Sequence, residues 1–345
     1  MEVTGLTRRF LVRERPDVSG VKQAASHAAA RARLDPDGAA RVALVAAEMA
    51  TNLVKHTSGG GEVLVNTWIP PAGEGGVELI AIDRGPGMAN PAHAFEDGFS
   101  TAGSRGTGLG AIRRQSSYFD IHSLPGLGTA VLARFLPAEA AAPPRAFAVG
   151  VVTLPIDGED VSGDGWVMGE TPSGLQVMVV DGLGHGLLAS EAAAAALQCF
   201  RRSGPRPGTE LLQSVHEALR GTRGATGAAA TIDVAARQLR FAGIGNIAGR
   251  VIQDGDSRQL VSMNGTLGRD PVRCREFPQP WRPGSLLVMH SDGLSSHWQL
   301  ENVRGLINRD PALIAAVLFR DHARNLDDLT VVVVREAGLT PEVGT

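Results

Sequence analysis

With 345 residues, 43% of them hydrophobic and 20% charged, the chain is long enough for two domains and apolar enough to give each a core. A net charge of −3 argues against a nucleic-acid partner, and two distant cysteines, Cys199 and Cys274, exclude a disulfide scaffold. No apolar run reaches the ~20 residues that span a bilayer, and residues 1–12 lack a signal-peptide core, so a cytoplasmic protein with no membrane partner is expected.

In chain order, residues 7–13 read as a strand and 21–34 as an Ala-rich helix, broken by Asp35-Pro36-Asp37-Gly38. Asp37 is the expected cap of a second helix over 39–56, where Val42, Val45, Met49 and Leu53 recur at helical spacing. Strands follow at 62–69 and 77–82, then a short helix at 112–118. A hairpin of 119–123 and 129–135 closes around Pro125-Gly126-Leu127-Gly128. Helices on one face of a sheet make an α+β sandwich. Residues 138–145, Ala- and Pro-rich, read as a linker between a domain at 1–137 and a second at 146–337, with a tail at 338–345. The second half is a series of short apolar runs at 147–154, 166–168, 175–180, 228–234, 238–242, 248–253, 285–289 and 329–334. Helical stretches at 187–202, 209–219 and 311–324 interrupt it. That pattern predicts an antiparallel sandwich covered by helices.

The stretch 48–110 carries what a magnesium nucleotide needs. Glu48 and Asn52 are four apart on the second helix and share a face. The Asn52 amide oxygen suits Mg²⁺, and Glu48 can accept a hydroxyl proton during phosphoryl transfer. Asp83 ends a buried strand before Gly85-Pro86-Gly87, a fixed acceptor for an adenine amine with glycines that let the backbone near the base. Gly106, Gly108 and Gly110 offer backbone N–H groups to phosphates ahead of a helix.

These residues resemble the GHKL (Bergerat-fold) ATPases, and more narrowly the anti-sigma serine kinases of the RsbT/RsbW type, over about 4–136. The match lies in Glu48-x-x-x-Asn52, Asp83-Arg84-Gly85-Pro86-Gly87, and Glu96-Asp97-Gly98-Phe99-Ser100-Thr101 leading into Gly106–Gly110. The resemblance implies ATP with Mg²⁺ and a serine or threonine of a STAS-domain protein as acceptor. It makes Asn52 the Mg²⁺ ligand, Asp83 the adenine acceptor, Glu48 the catalytic base and Arg105 a lid cation near the γ-phosphate. A sigma factor or a downstream phosphatase is the further partner it suggests. The other function weighed for this half is an ATP-binding partner switch without phosphotransfer.

In the second half aspartates recur at strand ends: Asp164, Asp181, Asp292, and the pair Asp327-Asp328. Carboxylates gathered on one rim repel unless cations lie between them, and two hard divalent ions can activate a water against a phosphoester. The segments Ser162-Gly163-Asp164, Asp181-Gly182-Leu183-Gly184, Arg223-Gly224-Ala225-Thr226, Gly245-Asn246, Ser291-Asp292-Gly293-Leu294 and Asp327-Asp328-Leu329-Thr330 resemble the PPM (type 2C) phosphatases of the SpoIIE branch, RsbX-like above all. That implies an αββα sandwich, Mn²⁺ or Mg²⁺, and as ligands Asp164, Asp181, the Gly182 carbonyl, Asp292 and Asp327. His185, four residues after Asp181, is a further candidate for a general acid, at an offset that ordinary type 2C phosphatases do not use. Two features depart from the family: Val167 stands where many members have a further Asp, and no counterpart of the phosphate-holding arginine is evident.

Overall fold

The computed structural model describes residues 7–68, 76–91, 93, 108–137, 146–269 and 271–338. Contact density divides the chain into two compact units. One gathers Thr7–Pro143 with Leu300–Arg320; the other holds Pro144–Gln299 and the chain from Asp321 onward. The expected uninterrupted stretch 146–337 is therefore broken by a segment that packs with the N-terminal unit. Among the described residues no helix is long and apolar enough to cross a membrane.

The first unit is a five-stranded antiparallel sheet of β1 (Arg8–Val12), β2 (Gly61–Trp68), β3 (Gly76–Asp83), β4 (Tyr118–Leu124) and β5 (Gly128–Phe135), in the order β1-β2-β3-β5-β4. Helices α1 (Arg15–Arg31) and α2 (Pro36–His56) cover one face, burying Val42, Val45, Met49 and Leu53 against Val63, Val65, Leu79, Ala81 and Val131. The cap of α2 is Asp35, not Asp37: its Oδ1 accepts from Gly38 N at 2.6 Å, and Pro36 supplies the first turn's fixed φ. Helix α3 (Gly108–Gln115) begins within the glycine run, four residues before the expected start.

Strand alternation sends Leu64, Ile80, Ile82 and Leu132 to the opposite face, where each is at most 1% exposed. The segment Leu300–Arg320 lies against this face, with the first part of α6 (Pro311–His322). Arg134 on β5 makes a two-pronged ion pair with Asp310, Nη1 to Oδ2 at 2.7 Å and Nη2 to Oδ1 at 2.8 Å. Asp120 on β4 accepts from Arg309 Nη1 at 3.2 Å and from Asp310 N at 2.8 Å. His122 Nε2 donates to the Arg304 carbonyl at 3.1 Å, and the Arg9 guanidinium stacks on Phe319. An apolar sheet face needs cover, and this segment of the C-terminal half supplies it.

The second unit is two antiparallel five-stranded sheets. One has the order β13-β10-β9-β8-β7 and the other β12-β11-β14-β15-β6. The strands are β6 (Phe147–Leu154), β7 (Asp164–Thr171), β8 (Gly174–Gly182), β9 (Ala225–Asp233), β10 (Gln238–Ile244), β11 (Ala248–Gln253), β12 (Asp256–Leu260), β13 (Glu276–Pro280), β14 (Leu286–His290) and β15 (Leu329–Glu336). Phe241 of the first sheet meets Gly249 of the second, so these faces look inward. Helices α4 (Leu187–Ser203) and α5 (Gly208–Ala218) cover the outer side, packing Ala192, Ala196, Leu211 and Val215 on Met178, Val180 and Ala229. Strands β12 and β13 were not expected from the sequence; each is a polar edge strand, and β13 carries two prolines.

Candidate active sites

In the first unit, Glu48 and Asn52 sit one turn apart on α2, both half-buried beside its core-facing stripe. Gly108 lies against the Asn52 amide: a Cβ there would stand 3.2 Å from Oδ1 and 3.3 Å from Nδ2. The helix carboxamide and the start of the glycine-run helix are thus brought together. Asp83 closes β3, and its Oδ1 accepts N–H bonds from Gly85 at 2.7 Å and Thr129 at 3.3 Å. Burial holds its carboxyl above the ordinary carboxylate range, and those two donors pull it back in part. With Oδ1 engaged, Oδ2 remains for a donor such as an exocyclic amine.

The two glycines after Asp83 have structural reasons of their own. A Cβ on Gly85 would stand 2.8 Å from Thr57 Cγ2 at the end of α2. Gly87 has φ +65°, and a Cβ there would stand 1.9 Å from the Leu124 carbonyl. Both let the turn nest between α2 and the β4–β5 hairpin. Gly110 is buried in α3. Arg105, Gly106 and the 96–101 segment lie outside the described residues.

In the second unit, Asp164 begins β7 and Asp181 lies near the end of β8, Cα partners in the antiparallel ladder. Ser291 Oγ donates to Asp164 Oδ2 at 2.5 Å and accepts from Thr330 N at 2.9 Å. Asn246 bridges the rim: Nδ2 donates to Asp292 Oδ2 at 2.7 Å while Oδ1 accepts from Thr226 Oγ1 at 2.5 Å. Burial drives Asp164 well above the usual range, helped by the charge of Asp181. Asp181 is pushed up to about 7, by burial first and then by Asp292 and Asp327. Asp292 is raised by burial and by Asp327. The four carboxylates expected to share a rim therefore feel one another.

Gly182 admits no side chain, since a Cβ would stand 2.3 Å from the Ala189 carbonyl and 3.0 Å from that of Gly163. Asp328 is 2% exposed, with Oδ1 accepting from Ile156 N at 2.8 Å and Oδ2 from Gly163 N at 2.6 Å. Both its oxygens latch the loop that leads into Asp164. His185 pairs through Nδ1 with Glu159 Oε1 at 2.9 Å.

Among the described residues no three His, Cys, Asp or Glu side chains already converge on one point. The fit to divalent cations rests on the donor set: hard oxygens only, four carboxylates in mutual repulsion and a glycine whose carbonyl follows Asp181. Mg²⁺ in particular takes few protein ligands and keeps its waters. Ser291 and Thr226 stand within the SpoIIE-like segments, but the sequence assigned no role to their hydroxyls.

Residues 12–135 match the family model for the histidine kinase-like ATPase domain, and residues 171–338 match that for stage II sporulation protein E, SpoIIE. Over 94 residues the chain is 34% identical to the serine/threonine-protein kinase RsbT of Bacillus subtilis, covering 69% of that protein and 27% of this chain. Over 148 residues it is 28% identical to the phosphoserine phosphatase RsbX of Bacillus subtilis, covering 73% of that protein and 42% of this chain. The chain belongs to the RsbT kinase family in its N-terminal half, and its C-terminal half carries a SpoIIE domain similar to the phosphatase RsbX. A solved structure from work on the bacterial stressosome, described as a modular system adapted to control secondary messenger signaling, covers 55% of this chain and 100% of its own. It is 26% identical, with a TM-score of 0.51. RsbX in complex with magnesium covers 55% of this chain and 96% of its own, at 24% identity and a TM-score of 0.50, which supports the fold of the SpoIIE half. Asp181, Gly182, Asp292 and Asp327 fall inside the SpoIIE match; Asp164 precedes it. Glu48, Asn52 and Asp83 fall inside the ATPase match.

Proposed function

We propose that the chain is a bifunctional enzyme of a partner-switching pathway, whose RsbT-like half phosphorylates a serine or threonine of a STAS-domain protein and whose SpoIIE-like half removes such a phosphate. The observation that carries the phosphatase reading is the opposed pair Asp164 and Asp181, flanked by Asp292 and Asp327 and held by Ser291 and Asn246. Asp164, Asp181, the Gly182 carbonyl, Asp292 and Asp327 would hold Mn²⁺ or Mg²⁺; when bound, such ions supply an activated water for phosphoester hydrolysis. Asp328 keeps the 156–163 loop in place and stands outside that ligand set.

In the RsbT-like half, Asn52 would meet Mg²⁺, Asp83 Oδ2 the adenine amine, and Glu48 would take the proton of the acceptor hydroxyl. Gly108 keeps the glycine-run helix close to Asn52, which suits phosphates bridged to the cation.

The test is incubation of the full chain with ATP, Mg²⁺ and Mn²⁺ and candidate STAS proteins, reading phosphate occupancy by mass spectrometry. Asp181→Asn is expected to drive the acceptor toward full phosphorylation, and Glu48→Ala to leave it unmodified. Nucleotide binding without phosphotransfer in Asp181→Asn would reduce the N-terminal half to a partner switch.

A further inference from the structure

Arg320 belongs by sequence to the C-terminal half and by packing to the N-terminal unit. It is 6% exposed, and its Nη1 donates to the Asp83 carbonyl at 2.9 Å. A buried guanidinium is costly, and an apolar side chain would fill the same space with less penalty, so the donors are what distinguish arginine here. The Asp83 carbonyl stands where β3 ends and the turn through Gly85 and Gly87 begins. Gly128 crowds the same oxygen: a Cβ there would approach it to 2.0 Å. Next to it, Thr129 N donates to the Asp83 carboxylate. The peptide is thus held on one side by the β5 hairpin and on the other by Arg320, while the side chain is held by Gly85 and Thr129.

We infer that Arg320 is a positioning residue of the nucleotide site, acting through Asp83. This inference rests on the reading of Asp83 as the adenine acceptor. An aspartate at a strand end can rotate about its peptide, and recognition of one amine requires its carboxylate fixed to within a fraction of an ångström. Arg320 supplies that fixation from a segment some 180 residues beyond the end of the ATPase match, which closes at residue 135. The site that sequence similarity confines to 12–135 is therefore completed by the C-terminal half. This gives the insertion of Leu300–Arg320 a role besides covering an apolar face.

The experiment uses the full chain and calorimetric titration with a non-hydrolysable ATP analogue and Mg²⁺. Arg320→Met keeps the apolar stem and removes every donor; Arg320→Lys keeps a charge and one donor that can reach a carbonyl. Arg320→Met is expected to weaken nucleotide binding about tenfold, the size of one charge-assisted hydrogen bond, and Arg320→Lys to restore most of it. Melting without nucleotide is recorded for each variant, since a purely structural role would lower it without separating Met from Lys in affinity. Wild-type affinity in Arg320→Met overturns the inference, as does an equal loss in Met and Lys. Asp83→Asn is titrated in parallel. If it loses the nucleotide while both Arg320 variants bind normally, the adenine reading stands and the positioning role falls. If the wild type binds no nucleotide, both fall.

Discussion

Asp164 and Asp181 face each other as Cα partners across β7 and β8, and Asp164 is 6% exposed. Two carboxylates in that position repel, so without cations the pair opposes folding and with them it creates affinity. Asp181→Asn keeps the shape and removes one charge. In chelator at pH 8 the variant is expected to melt a few degrees above wild type, at roughly 2–4 °C per kcal/mol relieved. With Mn²⁺ its hydrolysis of a small phosphoester is expected to fall about a hundredfold or more. Calorimetric melting and initial rates check the two arms. A variant that melts lower in chelator, or retains full metal-dependent activity, would show the pair to be structural.

Asn246 touches the rim beside the proposed ligands: it holds Asp292 at 2.7 Å and is itself held by Thr226. Loss of an outer partner typically weakens metal affinity by about 10–100-fold. Asn246→Ala is therefore expected to raise the Mn²⁺ concentration for half-maximal activity by about tenfold while leaving the saturated rate within a few-fold. Asn246→Asp would add a fifth charge beside Asp181 and Asp292. A fall in the saturated rate at unchanged metal affinity would place Asn246 on the substrate instead.

The sequence marked the candidate residues because charge and glycine have few uses at strand ends. Asp83 ends β3 and Asp164 begins β7, while Asp181 is next to last in β8 and Asp292 lies two residues beyond β14; a period-two pattern locates such ends. It did not show what holds them. Ser291 reaches Asp164 across 127 residues and Arg320 reaches Asp83 across 237, and no local pattern encodes contacts of that range. Fold class was legible for the same reason: helix and strand periods are local. The placement of Leu300–Arg320 was not, because α6 is apolar on every side and reads like any core helix. Its mate is the second face of the first sheet, whose apolar residues alternate with those beneath α1 and α2.

His122 titrates within this interface. Burial lowers its pKa below the ordinary 6.5, against the bond it donates to the Arg304 carbonyl; Arg309 and Arg320 push it further down and Asp120 pulls it up. A depressed imidazole means that the unfolded chain binds the proton first, so its contribution is complete above pH 6.5 and is lost as pH falls toward the native value. Asp83 and Asp120, raised by burial, act in the opposite direction. The wild-type curve therefore mixes both, and comparison with His122→Gln isolates the imidazole. The difference in melting temperature between wild type and His122→Gln is expected to shrink or reverse between pH 7 and pH 5. A constant difference over that range would mean that His122 keeps its proton balance on unfolding.

The last prediction concerns where the chain can be cut. The Ala- and Pro-rich composition of 138–145 invites separation of a fragment 1–137, which the sequence reads as a domain. Its second sheet face carries Leu64, Ile80, Ile82 and Leu132, each at most 1% exposed in the full chain. Around them Arg134 keeps Glu78 at 2.7 Å but loses Asp310, and Asp120 loses both Arg309 and the Asp310 amide. Breaking a buried pair from one side costs about 3–5 kcal/mol, a large share of a domain's stability. A bare apolar patch on a sheet also invites association. Fragment 1–137 is therefore expected to self-associate or melt well below the full chain. Joining residues 300–322 to it through a Gly/Ser linker is expected to return a monomer. Asp310→Ala in that fusion should undo most of the gain, because Arg134 then faces the segment without its two-pronged partner. Light scattering after size exclusion, with thermal melting, reads each form. A monomeric fragment 1–137 that melts with the fusion would show that Leu300–Arg320 adds nothing to the stability of the sheet it covers.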